Sequence, residues 1–531
     1  MFLNGLQLSK SRYRARAHCK HQQSRSLWDT LASSEEHARE ARFLQALQGC
    51  RQHIRAPFCC PGHHGVPGRH WPPFEALLTQ EREALLTHDL AEQPELDNLQ
   101  QPSGVLLEAQ ERAAAVYETA RTFFLVNGST SGILAALLAA CSQRATDPSH
   151  CYALIPRNTH QSVFHALALT GLHPVYLSPR CADARYQIIG PVETTTVEAA
   201  LAALAPRVAV VVLTSPTYHG HVGDVSRIAT LCRQYGALLV VDEAHGAHLG
   251  LYPQLPPSAR QLGADLVVQS THKTLLALTQ AAMLHVPFGS QVAPEAVAEA
   301  VRMVSSTSPN AWLLASLEAT VSALEDVRWR TNWFERACSV ANDIRNALPI
   351  LPNDDMTRFC LLLPDDVDGL LFDSFLIEQY GVYMELAAKA HSTGIVTGAN
   401  DATHVAVLVE AFQALVADPR LRGTRSASDG CNFQLQEAPS GFHVADCSLR
   451  AVLYRRRQWR PLQNAAGAIA AAALSPYPPG IPWVAPGERI SSMVVASLLE
   501  AYRAGCAISG LHGAELLVAV VDDEANAVRG C

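Results

Sequence analysis

Two short apolar runs constrain this chain more than anything else in it. Ala237-Leu238-Leu239-Val240-Val241 ends in Asp242, and Leu266-Val267-Val268-Gln269 leads through Ser270-Thr271-His272 into Lys273. An unbroken apolar run without alternation is the pattern of a strand buried on both faces, as in a parallel sheet. A charged residue where such a run stops lies at the C-terminal edge of the sheet, where open α/β sheets bind ligands. The lysine is itself unusual. The chain has four lysines (Lys10, Lys20, Lys273 and Lys389) against 41 Lys and Arg together. Its other cations are arginines, which stay protonated and cannot form an imine with a carbonyl, whereas lysine can. The pattern predicts that Lys273 is a nucleophile.

The same rhythm runs along much of the 531 residues. Helix is expected over 106–120, strand over 123–127 and helix over 133–141. Further strands are expected over 152–156, 208–213, 237–241, 265–269 and 281–286, with a helix over 225–235. Alternation of this kind predicts an α/β fold, with a mostly parallel sheet and helices on both faces. The expected division is an N-terminal extension to residue 50, a large domain over 51–330, a small α/β domain over 331–430 and a C-terminal domain over 431–531. One long helix is expected over 311–348, an Ala-rich helix over 465–474 and a polar linker over 422–429. An amphipathic helix is expected over 27–48. The basic stretch before it reads as a transit peptide, a tail or a misplaced start. Fourteen scattered cysteines fit a reduced, cytoplasmic protein. A net charge of -8 gives no sign of nucleic acid, and no apolar run is long enough to span a membrane.

Strand, then Gly128-Ser129-Thr130-Ser131-Gly132, then helix is the geometry that holds a phosphate on backbone N–H groups. A plain capped helix is the alternative. The loop has no lysine and no G-x-G-x-x-G spacing, so neither a nucleotide P-loop nor a dinucleotide fingerprint is present. Asp242-Glu243-Ala244-His245 without a P-loop is not a helicase box. Cys59, Cys60, His63 and His64 lack zinc spacing, and His245-x-x-His248 reads better as a core or cofactor contact, so no metal is expected. A phosphate cup, a strand-end carboxylate and a strand-end lysine on one rim are what pyridoxal 5'-phosphate requires. Lys273 would take its aldehyde, Asp242 its ring nitrogen and residues 128–132 its phosphate. His160 would stack on the ring.

At this point the chain resembles a known family. Pro61-Gly62-His63, Asn127-Gly128-Ser129-Thr130-Ser131-Gly132, Arg157-Asn158-x-His160-x-Ser162, Ser215-Pro216-Thr217-Tyr218-x-Gly220, Asp242-Glu243-Ala244-His245-Gly246, Ser270-Thr271-His272-Lys273-Thr274, Thr307-Ser308-Pro309 and Tyr477-Pro478-Pro479-Gly480-Ile481-Pro482 follow one another in order. The sequence is similar to the group III (Orn/Lys/Arg) pyridoxal-phosphate-dependent amino-acid decarboxylases, in the short form without an N-terminal wing domain. The resemblance implies a fold-type I enzyme, with catalytic roles for Lys273, Asp242, His160 and His272. Gly128, Ser129, Thr130, Ser131, Ser270 and His272 would surround the phosphate, and His245 would lie beside the cofactor. Ser308 would reach the neighbouring subunit's site, which implies a homodimer. Two departures, Cys60-Pro61-Gly62-His63-His64-Gly65 for Thr-Pro-Gly-His-Lys-Gly and the Ala-rich 465–473, bear on substrate and rate rather than on the cofactor.

The function expected is decarboxylation of a basic amino acid, arginine or lysine ahead of ornithine, in polyamine biosynthesis or amino-acid catabolism. Glu488, with Glu385 behind it, is the candidate for the substrate's distal cation; both alternatively read as surface acids. A fold-type I aminotransferase or another lyase is the alternative enzyme. A silent regulatory paralogue is the alternative of another class.

Overall fold

The computed structural model describes residues 53–64, 89–90, 93–144, 147–418, 420–423, 441–477, 480–503 and 505–522. The basic N-terminus, the 27–48 helix, residues 424–429 of the linker and Pro478-Pro479 lie outside them.

The two apolar runs are neighbouring strands, Leu238–Asp242 and Leu266–Gln269, near the middle of an eight-stranded sheet. Its spatial order is Phe442–Val444, His173–Leu177, Tyr152–Pro156, Val208–Thr214, Leu238–Asp242, Leu266–Gln269, Ala282–Pro287 and Thr119–Leu125. The strands from His173–Leu177 to Leu266–Gln269 pair in parallel; the outer pairings are antiparallel. Side chains alternate faces along a strand. Leu238 and Val240 accordingly pack with Ile133, Leu137 and Val163 on one side. Leu239 and Val241 pack with Val197, Leu201 and Ile228 on the other. Both faces are dry, so polar chemistry on this sheet is confined to strand ends. Register sets that rim: Thr214 lies opposite Asp242, and Asp242 opposite Val268.

A smaller antiparallel sheet, Arg358–Leu362, His391–Ile395 and Leu386–Ala387, packs on its own apolar core. The early strand Ala56–Phe58 pairs in parallel with Val382–Met384 beside it. A third core lies under Arg457–Pro461, Leu517–Val521 and the helix Ser492–Arg503. Phe442–Val444 joins the edge of the large sheet. Among the described residues no helix is long and apolar enough to cross a membrane.

Three expectations are corrected. The long helix over 311–348 is two helices, Ala311–Glu325 and Val327–Ala347, because the Asp326 carboxylate accepts the Trp329 N–H at 3.0 Å and caps the second. The stretch over 465–474 is not helical. Bridges from Ile469 to Arg489, Ala470 to Val520 and Leu474 to Val484 run through it, and Ala465 and Ala470 are fully buried. Small side chains let this backbone bed between two others, and the packing outweighs alanine's helix propensity. Against the expected reduced pattern, Cys506 is disulfide-bonded. Pairing depends on which Cα atoms the fold brings within bridging distance, which spacing does not reveal.

Replacing Asp326 with alanine should cost about 1 kcal/mol, as loss of an N-cap does, while Asp326→Asn should hold near wild type. Equilibrium urea denaturation checks this. Equal stability of the two variants would mean that the cap does not separate the helices.

Candidate active site

Asp242 and Lys273 are brought to one crevice by a buried tie between their strands. Gln269 Nε2 donates to Glu243 Oε2 at 2.6 Å, and Ser258 Oγ and the Ala259 N–H donate to the same carboxylate. Glu243 is thereby structural, and burial raises its pKa to about 7. Beyond Gln269, one helical turn, Thr271–Thr274, carries Lys273.

Lys273 Nζ lies 3.0 Å from His245 Nε2, and Arg358 Nη2 lies 2.7 Å from His245 Nδ1. Arginine can only donate, so Nδ1 is the acceptor and the ring hydrogen sits on Nε2. Burial first, with the Arg358 cation beside it, pushes His245 well below the ordinary histidine pKa, so the ring is neutral. Its Nε2–H therefore donates to Lys273, whose amine must accept, and only the free amine can. The lysine pKa is itself lowered, first by burial, with Arg358 also lowering it and Asp242 opposing. Arg358 stands on the small sheet with no exposed surface, and sequence reading missed it. One arginine among many carries no local mark.

The sheet rim supplies the other expected residues. Residues 128–132 are the first turn of the helix Gly128–Arg144, not a loop before it. Gly128 opens that turn at φ +77°, a conformation that favours glycine. Ser270 Oγ donates to Ser129 Oγ at 2.8 Å, joining the lysine turn to this helix end. Ser131 Oγ donates back to the Gly128 carbonyl, and Thr130 is exposed. His160 caps the helix Gln161–Thr170: its Nδ1 accepts the Ser162 N–H and lies 2.8 Å from Ser162 Oγ, which fixes the exposed ring. The His272 Nδ1–H faces the Ala281 carbonyl at 2.9 Å. Ser308 is exposed; its loop is anchored where the Ser306 N–H donates to Asn127 Oδ1.

A second set closes over Lys273. The Cys60 N–H and the Tyr218 hydroxyl donate to the two oxygens of Glu385, at 2.9 and 2.8 Å. The Tyr218 and His245 rings meet edge-on, with centroids 4.9 Å apart. Burial, then Glu385, push the Cys60 thiol up to about 12, so it stays neutral. The Gly62 N–H donates to the His272 carbonyl, and a Cβ at Gly62 would lie 2.8 Å from the Leu275 carbonyl oxygen. Pro61-Gly62-His63 is thus a buttress for the lysine turn.

Glu488 is engaged elsewhere. Oε1 takes Arg157 Nη2, and Oε2 takes Arg157 Nη1 and the Ala485 N–H; His443 Nδ1 stands 2.9 Å from Oε1. The buried carboxylate is engaged by these groups, which corrects the expectation that Glu488 meets a substrate cation. Burial works to raise its pKa, but His443 and Arg157 hold it at about 2. His248 is likewise not a ligand in waiting: its Nε2 pairs with buried Asp355 at 3.0 Å.

Asp242 tests the fit of a cofactor. It is 5% exposed; its Oδ1 accepts the Ala244 N–H, and no basic side chain among the described residues pairs with it. A buried carboxylate without a cation is costly, so the site calls for a ligand that brings one. The protonated ring nitrogen of pyridoxal phosphate does so, with Ser129, Ser270 and the helix N-terminus ready for its phosphate. The fold and this crevice are those of a fold-type I pyridoxal-phosphate enzyme.

The chain belongs to the Orn/Lys/Arg decarboxylase family. Residues 42–391 match the family model described as Orn/Lys/Arg decarboxylase, major domain, and residues 445–508 match its C-terminal domain. The chain is 31% identical to the uncharacterized protein YaaO of Bacillus subtilis, over 84% of this chain and 92% of that one. It is 30% identical to an arginine decarboxylase of Bacillus cereus, over 81% and 93%. The lysine decarboxylase LdcF of Francisella novicida has a similar fold, with a TM-score of 0.70 at 20% identity, covering 89% of this chain and 80% of that one. The chain is a decarboxylase of the pyridoxal-phosphate type, acting on basic amino acids.

Two outcomes follow. Arg358→Met removes a cation that lowers the Lys273 pKa, so at a given pH less of the lysine is free amine. Cofactor uptake by the apoenzyme should slow at neutral pH and its profile should move to higher pH; an unmoved profile would sever Arg358 from Lys273. Glu488→Gln should destabilise by about 3–5 kcal/mol, as breaking a buried ion pair does. The native carboxyl titrates at about 2 against an ordinary 4.5. Its contribution is therefore present above pH 4.5 and lost as pH falls through 2. The wild-type advantage in denaturation should shrink over that window, and an advantage independent of pH would contradict the pair.

Proposed function

We propose that the enzyme decarboxylates arginine or lysine, with ornithine less favoured, and serves polyamine formation or basic amino-acid catabolism in the cytoplasm. The observation that carries this reading is the half-buried Glu385 carboxylate, held by Cys60 and Tyr218 beside Lys273. An acidic group oriented by two donors is suited to a distal ammonium or guanidinium. The Bacillus cereus relative, an arginine decarboxylase, supports the same substrate class.

Lys273 presents the amine that would hold the cofactor through its carbonyl. Bound pyridoxal phosphate supplies the sink for the electrons left when carboxylate departs as CO2. Asp242 would hold the ring nitrogen protonated, His160 would cover the ring, and His245 with Arg358 would favour the uncharged state of Lys273. Glu385 would fix the far end of the substrate. In a homodimer whose sites meet at the interface, the exposed loop of Ser308 would reach the neighbouring subunit's site.

Purified protein with pyridoxal phosphate should release CO2 from arginine or lysine, and Lys273→Ala should release none. Glu385→Gln should lower kcat/KM by about 10- to 100-fold, the size of a lost charged hydrogen bond. Amino transfer to a keto acid without CO2 would sink the proposal. An unchanged kcat/KM in Glu385→Gln would move the distal site elsewhere.

A further inference from the structure

Away from the lysine, three side chains that sequence spacing never related come together. His219 lies in the turn after Val208–Thr214, and Cys360 and His391 lie on adjacent strands of the small sheet. The antiparallel register pairs Cys360 with Thr393 and Leu362 with His391. Directly opposed residues share a face, as do residues two apart, so Cys360 and His391 are diagonal neighbours on one face. His219 closes that face from the large domain. Its Nδ1 lies 3.1 Å from Thr393 Oγ1, and its ring meets that of His391 edge-on with centroids 5.0 Å apart. One ligand atom from each of the three lies within 4.8 Å of the others.

The cluster is buried and under-satisfied. His219, Cys360 and His391 are 6%, 1% and 3% exposed, and His391 Nδ1 is buried with no hydrogen-bond partner. A buried polar atom left unpaired costs about 1–3 kcal/mol, and two imidazoles and a thiol are zinc's ligands. We propose that His219, Cys360 and His391 form a site for a divalent cation of the zinc class, separate from the cofactor crevice.

Nitrogen and sulfur ligand atoms around a tetrahedral zinc stand about 3.3–3.6 Å apart, given bonds of about 2.0–2.1 Å to nitrogen and 2.3 Å to sulfur. Side-chain rotations of roughly 1 Å close the present gap, which leaves one coordination place for water. Asp183 acts electrostatically on both Cys360 and His391. With the Cys360 thiolate, it gives two negative charges to balance the cation. The Thr393 hydroxyl orients His219 as metal-ligating histidines are oriented, through the other ring nitrogen. The site would fasten the turn that carries Tyr218 to the sheet that carries Glu385, so its role is structural and falls on the substrate side of the crevice. No sequence motif marks the site, because the three residues come from three separate segments.

The test uses the full chain with pyridoxal phosphate bound, dialysed against a chelator and titrated with Co(II). The expected result is one equivalent bound per chain, with visible bands of a tetrahedral site and a thiolate-to-cobalt band in the near ultraviolet, all displaced by Zn(II). Cys360→Ser should abolish the near-ultraviolet band, and Cys59→Ala should leave it. Should Cys360→Ser fail to fold, His391→Gln carries the comparison, with affinity expected to fall at least tenfold. A wild-type protein that binds no Co(II), or a near-ultraviolet band that survives Cys360→Ser, overturns the site. So does unchanged affinity in His391→Gln.

Discussion

The hydrogen bond on which the crevice depends runs between two sheets. Arg358 belongs to the small sheet and Lys273 to the rim of the large one, with His245 between them. Because the guanidinium only donates, it dictates which ring nitrogen bears hydrogen, and so dictates that the lysine amine receives rather than gives. The reactive state of the nucleophile rests on its burial and on how two sheets dock. Neither sheet carries it alone.

The large sheet makes this possible by being dry on both faces. With Leu238 and Val240 covered on one side and Leu239 and Val241 on the other, the strand can display charge only where it stops. Asp242 stops it, and the Glu243–Gln269 tie holds that end level with the next. The carboxylate is kept buried, and no basic side chain among the described residues forms an ion pair with it, a deficit that a ligand must make good. Binding and catalysis draw on the same imbalance.

Much of this was legible in the sequence. The unbroken apolar runs announced the buried strands, and the scarcity of lysine singled out Lys273. What stayed hidden depended on contacts between distant segments. Arg358 is ordinary until His245 stands beside it. Glu488 read as a free acid until Arg157 and the Ala485 N–H took its oxygens. The alanines over 465–474 suggested a helix because propensity is local, whereas the bridges that hold them extended come from Arg489, Val520 and Val484. The break at Asp326 was locally encoded, since an aspartate capping the N–H three residues on is a sequence signal; unbroken apolar periodicity masked it.

The buttress under Lys273 has a consequence for the order of assembly. The Gly62 N–H holds the His272 carbonyl, and the Gly62 carbonyl in turn accepts the Thr397 hydroxyl. The strand just before it, Ala56–Phe58, needs Val382–Met384 as its partner. A chain leaving the ribosome therefore exposes Lys273 well before the turn around it can take its final shape. The lysine comes under restraint only when residue 397 has emerged, so a nascent chain stopped earlier has its nucleophile but not its active site.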